Sequence, residues 1–303
     1  MERLPVILLR SKIAHYHAAK SDLKLETQEY ILSPNPDDPA LSSTVEGIDQ
    51  HGVKTQIRVI EERAITLYLN SQEIVTIMTV GDYPEYLAIG FLRNQNMLHD
   101  TDVISSIDYD DDLAVIIVRT ERVTDYEEVL KKKVRTSGCA QGTVFDNVLD
   151  RFKSITLPKE AIIRTSWLGD LTKKINTRPS LYLTAGAIHS CVLCRENLVL
   201  AFVEDVGRHN AVDKIAGWMH QENVDASDKI FYTTGRLTSE MVIKTVLMEI
   251  PILVSRSGFT ASGVSLARQA GLTLIGRARG QRFIVLSGEE RVCFDTVNQK
   301  DDP

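Results

Sequence analysis

The chain has 303 residues, 43% of them hydrophobic and 25% charged, an ordinary balance for a globular protein of two domains or one large domain. Its net charge of −6 argues against general affinity for nucleic acid, because such affinity usually needs a basic face. No apolar stretch approaches the roughly 20 residues that cross a bilayer, and the start of the chain lacks a signal-peptide pattern. Four cysteines are too few for a disulfide framework in a chain of this length, so we expect a cytoplasmic protein with reduced thiols and no membrane association.

The chain changes character near residue 53. Residues 1–52 are polar and contain the segment SPNPDDPALSS, so we predict an irregular N-terminal arm. Residues 53–125 predict a small α+β domain, in which two β-rich runs form a hairpin, a helix opens at Tyr83-Pro84, and two strands flank the acidic run Asp110–Asp112. We interpret this acidic run as a solvated turn rather than as a metal site.

Residues 126–303 predict an α/β domain that carries the candidate chemistry. The segment ERVTDYEEVLKKKVR predicts a surface helix that leads into a cysteine-containing loop. From Ser180 onward, short apolar runs alternate with amphipathic helical segments, which is typical of a layered α/β domain. In this series LYLT predicts a strand and AGAIHSCVL a short helix, and further strands are predicted at LVLAFV, KIFYTT, PILVS, LTLIGRA and RFIVLS.

Polar loops with glycine next to arginine follow the predicted strands. In open α/β sheets ligands bind beyond the carboxyl ends of the strands, and arginine matches the geometry of phosphate oxygens. The candidates for binding a phosphorylated ligand are Arg208, Arg236, Arg256, Arg277, Arg279 and Arg282. The alternative is that they are ordinary surface arginines in turns. The segment GRARGQR is neither a Walker loop nor a dinucleotide fingerprint, so the pattern does not identify the ligand.

Two histidines and two cysteines lie near these loops. His189 and His209 lie beside predicted helix starts, where each could contact a ligand, act as a general acid or base, or be structural. Cys191 and Cys194 form a Cys-x-x-Cys pair, but on a helix His189 and Cys191 would point about 200° apart and could not share an ion. We therefore predict buried structural thiols and no metal site.

Cys139 lies in a different setting, the segment RTSGCAQGT. Glycines lie on both sides of it, Arg135 precedes it, and TVFDNVLDRF predicts a helix soon after. Neighbouring positive charge and helix N-termini favour the thiolate form of cysteine. Cys139 is therefore a candidate nucleophile, with a passive thiol as the alternative.

Long stretches of the chain resemble one known family. The segments TAGAIHSCVL, VEDVGRHNAVDKIAGW and TTGRLTSEMVIKTVLMEIPILVSRSGFTASGVSLARQAGLTLIGRARGQRF are similar to the formate dehydrogenase accessory sulfurtransferase family (FdhD/NarQ type). The resemblance runs from about Arg58 to Ser287. It implies a cytidine-deaminase-like, three-layer α/β/α catalytic domain, preceded by the small α+β domain, in a cytoplasmic homodimer.

The resemblance also implies a function. In that family a cysteine desulfurase passes sulfur to a loop cysteine, here Cys139, which becomes a persulfide. The sulfur then goes to the molybdenum or tungsten of a bis-guanine-dinucleotide pterin, the cofactor of the formate dehydrogenase catalytic subunit. The family's cofactor-binding loop corresponds here to Arg277, Ala278, Arg279, Gly280, Gln281 and Arg282. The strand ends add His189, Arg208, His209, Arg236 and Arg256 as candidates for binding the same cofactor.

One departure from the family pattern leaves two functions open. The family usually has a second cysteine at the position of Gly142. One thiolate is enough to accept and deliver sulfur, so a sulfurtransferase remains the first interpretation. The alternative is a cofactor-binding chaperone of formate dehydrogenase that transfers no sulfur. A nucleotide hydrolase is disfavoured because the sequence has no catalytic triad, metal cluster or paired carboxylates. The segment His189-Ser190-Cys191 also lacks the glutamate of zinc deaminases, so we predict neither zinc nor deaminase activity.

Overall fold

The computed structural model describes residues 32–122 and 148–296 in full, together with the backbone of residues 133–135 and 143–147. The strands are β1 (Ser42–Ile48), β2 (Lys54–Ile60), β3 (Arg63–Leu69), β4 (Gln72–Thr79), β5 (Ile104–Asp110), β6 (Val115–Thr120), β7 (Lys133–Arg135), β8 (Thr143–Phe145), β9 (Ile163–Arg164), β10 (His189–Arg195), β11 (Leu198–Asp205), β12 (Lys229–Thr233), β13 (Ile252–Ser255), β14 (Thr273–Arg279), β15 (Arg282–Ser287) and β16 (Val292–Cys293). The helices are α1 (Pro84–Asn94), α2 (Asp146–Ser154), α3 (Thr165–Thr177), α4 (Leu181–Ala185), α5 (Arg208–Gln221), α6 (Ser239–Leu247) and α7 (Ala261–Ala270).

A four-stranded sheet with the order β4-β3-β6-β5 forms the first part of the fold. β3 and β4 form the predicted hairpin, and β5 and β6 flank the predicted acidic turn, so both predictions are confirmed. Ile65 and Leu67 alternate on the buried face of β3 and belong to one apolar cluster with Ile89 and Leu92 of α1. α1 opens at Pro84 as predicted, because the fixed φ of proline suits the first turn of a helix.

A second hairpin corrects the predicted N-terminal arm. β1 and β2 pair antiparallel from Ser42 opposite Ile60 to Ile48 opposite Lys54. The prediction of an irregular arm is therefore wrong for residues 42–48. The reason is that the strands are exposed over most of their length, so they lack the apolar alternation that marks a half-buried strand. Residues 1–31 of the predicted arm lie outside the described residues.

The main sheet has six strands in the order β11-β10-β12-β13-β14-β15. The pairs β12–β13 and β13–β14 are parallel and the other three are antiparallel. α5, α6 and α7 cover one face through side chains such as Val212, Met241 and Ala267. Leu168 and Leu171 of α3 cover the other face. The mixed α/β class is confirmed, as are the five strands predicted after residue 197 and their alternation with helices, since α5, α6 and α7 follow β11, β12 and β13.

The segment before His189 reverses the prediction. Residues 181–185 form a short helix and residues 189–195 a strand, where the sequence predicted a strand and then a helix. The helix forms because the Ser180 side chain accepts a hydrogen bond from Leu183 N at its start. It ends at Gly186 and Ala187, whose φ angles of 67° and 48° leave the helical region. β10 then lies between β11 and β12, and the apolar clusters on the two faces of the sheet bury its side chains.

The cysteine-containing segment is bounded by a strand pair. β7 pairs antiparallel with β8, from Lys133 opposite Phe145 to Arg135 opposite Thr143. The predicted surface helix is therefore wrong for residues 133–135, which form a strand; residues 123–132 lie outside the described residues. The helix predicted to follow the cysteine is confirmed as α2, and Phe152 of α2 is buried in the cluster beneath α6.

Helices α1 and α5 touch backbone to backbone at two glycines. A Cβ atom on Gly90 would lie 1.7 Å from Asp213 O, and one on Gly217 would lie 1.9 Å from Tyr86 O. No other residue fits at either position, because any side chain would overlap the facing helix. This contact fixes α5 against α1, which packs on the small sheet, and α5 begins at the edge of the main sheet where the arginine loops lie.

Candidate functional site

The four predicted arginine loops meet at one edge of the main sheet. β10 begins at His189, directly opposite Asp205 at the end of β11. β12 ends at Thr233, which pairs with Ser255 at the end of β13. β14 ends at the same edge, and the GRARGQR segment covers its last four residues, the two-residue turn and the first residue of β15. The rule that ligands bind beyond the strand ends therefore selected residues that are neighbours in space.

A cavity of about 490 Å³ lies at this edge, on the α3 side of the sheet. Arg256 and Arg279 line it, together with Tyr182 and Asn176. The guanidinium of Arg256 lies 4.9 Å from the centre of the Tyr182 ring and donates to Asn176 Oδ1 at 3.3 Å. Arg279 Nε donates to the backbone oxygen of Arg256 at 3.3 Å. The cavity thus combines two cations with an aromatic wall, which suits an anionic ligand that carries a planar group.

A bulge in β14 separates two arginines of the GRARGQR segment. Arg277 has a φ of 54°, in the left-handed region, and its N–H donates to Ser257 O at 3.0 Å. Its guanidinium lies over the Phe259 ring, 5.5 Å from the centre, while Ala278 is fully buried against the opposite face. Arg277 and Arg279 therefore face different surroundings, and of these two only Arg279 lines the cavity.

The turn from β14 to β15 exposes the other residues of the predicted cofactor loop. Gly280 takes a φ of 60° at the first position of the two-residue turn, a conformation that favours glycine. Gln281 and Arg282 are exposed beside it. Gly280 lines the cavity, whereas Gln281 and Arg282 do not.

His189 lies among three of the predicted arginines. It is half-buried at the start of β10. Burial lowers its pKa, and the positive charges of Arg208, Arg236 and Arg256 lower it further. An uncharged imidazole among guanidinium groups can donate and accept hydrogen bonds where its neighbours can only donate.

His209 belongs to a separate, more enclosed pair on the α6 side. Its Nε2 lies 3.2 Å from Glu240 Oε2, and neither ring nitrogen makes a hydrogen bond to another described residue. Burial, followed by the charges of Lys244 and Arg208, lowers the pKa of His209 to about 2. Burial also raises the pKa of Glu240. Both pKa shifts favour the neutral forms of the two side chains, so the contact is not an ion pair.

The rest of the EDVGRHN segment builds the turn instead of facing the cavity. The Asp205 carboxylate is fully buried; it lies 2.7 Å from Lys214 Nζ and accepts from Gly207 N at 2.9 Å and from Asn210 Nδ2 at 2.8 Å. Lys214 also bonds Asp82. The sequence analysis missed the link to Asp82, because Asp82 and Lys214 are 132 residues apart in the chain.

Glu204 is a second residue that the sequence analysis did not select. Its buried carboxylate accepts from Leu181 N at 2.6 Å and from Tyr182 N at 3.2 Å, and so caps α4 from outside the helix. Ser190 Oγ donates to the same carboxylate at 3.1 Å. Glu204 lies next to Asp205 in the sequence, but no local pattern indicated that it positions α4, the helix at the wall of the cavity.

The Cys-x-x-Cys pair lies in a strand and not in a helix. The geometric argument against a shared ion was therefore wrong, because residues two apart in a strand share one side. Cys191 and Cys194 are nevertheless fully buried, and burial raises the pKa of Cys191 to about 12 and that of Cys194 further. Within residues 32–122 and 148–296, no three His, Cys, Asp or Glu side chains gather as a metal would need.

Cys139 and Gly142 lie outside the described residues. The structure therefore leaves the predicted role of Cys139 as a prediction. The structure does place the strands on either side. Residues 136–142 connect the end of β7 to the start of β8.

Comparison with known proteins identifies the family. The FdhD/NarQ family matches residues 60–293, a span that contains Cys139 and all four arginine loops. This chain belongs to the FdhD/NarQ family. The sulfur carrier protein FdhD of Wolinella succinogenes is 31% identical over 80% of this chain and 85% of its own length. The sulfur carrier protein FdhD of Listeria monocytogenes is 28% identical over 77% of this chain and 91% of its own length.

A solved structure has the same fold as this FdhD/NarQ protein. The crystal structure of a formate dehydrogenase accessory protein candidate from Desulfotalea psychrophila matches with a TM-score of 0.69 and 25% sequence identity. The match covers 84% of this chain and 100% of that chain. None of the helices described in this FdhD/NarQ protein is both long and apolar enough to span a membrane.

Proposed function

We propose that this protein is a sulfur carrier in the maturation of formate dehydrogenase. Cys139 accepts sulfane sulfur from a cysteine desulfurase and passes it to the molybdenum or tungsten of a bis-guanine-dinucleotide pterin. Membership of the FdhD/NarQ family and the names of the relatives support this proposal. The observation that carries it within the chain is the cavity at the sheet edge, which Arg256 and Arg279 line and beside which the other arginine loops lie, since a guanine dinucleotide brings several phosphates.

The first step is a sulfur exchange. The Cys139 thiolate attacks the outer sulfur of the desulfurase persulfide, the donor S–S bond breaks, and the donor cysteine leaves as a thiolate. Cys139 becomes a persulfide, and nothing is oxidised or reduced overall. One nucleophile is enough for this step, so Gly142 in place of a second cysteine does not prevent it.

The second step delivers the sulfur to the cargo. Breaking the Cys139 S–S bond to release sulfide and a thiolate takes up two electrons, which we assign to the reduced metal of the cargo. The arginines of the sheet edge hold the phosphates during this step, and the neutral His189 is placed among them to donate or accept a hydrogen bond. We still predict that the protein holds no zinc. The metal in this scheme is the molybdenum or tungsten of the cargo.

The remaining predictions belong to the same proposal. We infer a cytoplasmic homodimer whose partners are a cysteine desulfurase and the formate dehydrogenase catalytic subunit. We further infer that the main sheet and its helices form the cytidine-deaminase-like catalytic domain over residues 126–303, with the small α+β domain over residues 53–125 before it. Helices on both faces of the six-stranded sheet support the layered interpretation.

Sulfur loading tests the proposal against its alternative, a cofactor-binding chaperone. The protein is incubated with a cysteine desulfurase and cysteine, and its intact mass is measured before and after reduction. We expect a reducible gain of one sulfur atom in the wild type, its loss in Cys139→Ala, and its retention in Cys293→Ala. Cys293 is the matched control because it is only half-buried. An equal gain in Cys139→Ala would refute the assignment, and no gain in the wild type would favour the chaperone.

A further inference from the structure

The short helix α4 forms one wall of the cavity and is fixed from outside. Glu204 accepts hydrogen bonds from the first two N–H groups of this helix, and Ser180 caps the third. The helix presents Tyr182 and Leu183 to the cavity. A five-residue helix has little stability of its own, so the buried carboxylate sets its position.

The Tyr182 ring provides a flat surface inside this cavity. Tyr182 is 40% exposed, although its backbone N–H donates a hydrogen bond to the buried Glu204 carboxylate. The planar guanidinium of Arg256 lies 4.9 Å from the ring centre and is fixed from the other side by Asn176 Oδ1. Aromatic rings and guanidinium planes are the two protein surfaces on which heterocyclic bases stack.

The cations and the flat surface lie next to each other. Arg256 contacts both Tyr182 and, through its backbone oxygen, Arg279. A ligand whose phosphate binds at Arg279 therefore has its attached group within reach of Tyr182. The aromatic surface would contribute nothing to the binding of a bare phosphate, and its presence points to a ligand with a ring.

We propose that Tyr182, positioned by Glu204 and paired with Arg256, is a specificity-determining residue that stacks on the planar heterocycle of a phosphorylated ligand. This inference rests on the proposed function, which supplies two such heterocycles, guanine and pterin. Both contain a planar 2-aminopyrimidinone ring that is linked to phosphate through a spacer, and this shared chemistry is what Tyr182 recognises.

The test is equilibrium binding of the full-length protein to three probes. These are GDP, 6-hydroxymethylpterin diphosphate and inorganic pyrophosphate, which carries the phosphates without a ring. Tyr182→Ala removes the flat surface and is expected to weaken at least one ring-bearing probe by roughly 5- to 150-fold, the range for loss of one stacked base. Pyrophosphate affinity is expected to stay unchanged, and the probe that weakens identifies which heterocycle binds here.

Three variants separate stacking from a general disturbance of the cavity. Tyr182→Phe keeps the ring and should bind all probes like the wild type. Leu113→Ala is the control for loss of an exposed apolar side chain, since Leu113 is 72% exposed and does not line this cavity. Glu204→Gln removes one acceptor from the cap and, as a positioning residue, should weaken the ring-bearing probes while sparing pyrophosphate.

Several outcomes would overturn the proposal. They are equal weakening of all three probes in Tyr182→Ala, no weakening of either ring-bearing probe, the same loss in Leu113→Ala, or a wild type that binds neither ring-bearing probe. Sulfur loading of Cys139 is measured in parallel, because Tyr182→Ala should load normally. A protein that never loads sulfur but keeps the binding pattern would refute the proposed function and leave the role of Tyr182 standing.

Discussion

Asp205→Asn is expected to unfold the turn that presents Arg208. The change removes one charge from a buried group that faces Lys214, while keeping its size and part of its hydrogen bonding. Lys214 is fully buried, and loss of the Asp205 charge leaves Asp82 to compensate its charge in a low-dielectric interior. Breaking a buried ion pair on one side costs about 3–5 kcal/mol, and because Asp82 remains we expect a loss of unfolding free energy toward the lower end of that range.

Urea unfolding, followed by the fluorescence of the buried Trp218, measures this loss. Glu46→Gln is the matched control, because Glu46 pairs with Lys54 in an exposed ion pair that contributes about 0–1 kcal/mol. The double variant Asp205→Asn with Lys214→Met should lose less stability than the two single variants summed, because it leaves no buried ammonium behind. If Asp205→Asn were no less stable than Glu46→Gln, the buried network would not hold the turn.

Three further changes probe the helix crossing, the histidine site and the buried thiols. Gly217→Ala places a methyl group 1.9 Å from a backbone oxygen and should cost about 1–3 kcal/mol or more in thermal unfolding, whereas Gly169→Ala, with open space around it, should gain about 0.5–1 kcal/mol. The pKa of His209 is lowered to about 2 in the fold, so as pH falls below about 6.5 the unfolded chain gains a proton that the folded chain does not. Stability should therefore fall by about 1.4 kcal/mol per pH unit through this group, and His209→Gln should lose less on acidification. Iodoacetamide at pH 8 should leave Cys191 and Cys194 unmodified in the folded protein, since burial raises the pKa of both, and peptide mass spectrometry checks this.

Opposite results would each correct one part of the structure. Equal stability of the two alanine variants would mean that the helices cross with more room than the glycine contact allows. If His209→Gln lost as much stability on acidification as the wild type, the His209 imidazole would be exposed to water in the folded protein. Rapid alkylation of either strand cysteine would mean that the centre of the main sheet opens readily.

The meeting of the arginine loops was predictable because it follows from topology. Apolar strands alternating with helices return successive loops to the same edge, so Arg208, Arg236 and Arg256 were expected there. Their common position around His189 also depends on the strand order, which the spacing did not predict. Which of the arginines line the cavity was not predictable. It depends on the left-handed backbone of Arg277, a local bulge that changes the alternation of the strand and leaves Arg279 in the cavity.

The reversed helix and strand near His189 had a different cause. LYLTA has no strong helix pattern of its own, and its first N–H groups are satisfied by Glu204, a residue far along the chain. HSCVLCR is apolar enough for either structure and becomes a strand because β11 and β12 bond both of its edges. Tertiary partners decided both segments, so windows of local sequence could not.

The glycine contact between α1 and α5 couples the two helices rigidly. Backbone meets backbone there, so no side chain can rotate to absorb a displacement. A displacement of the small sheet that tilts α1 must therefore tilt α5 as well. Arg208 and His209 lie in the first turn of α5. Any displacement of α1 would therefore move the first turn of α5, and with it the Arg208 charge that acts on His189, without a contact at the cavity itself.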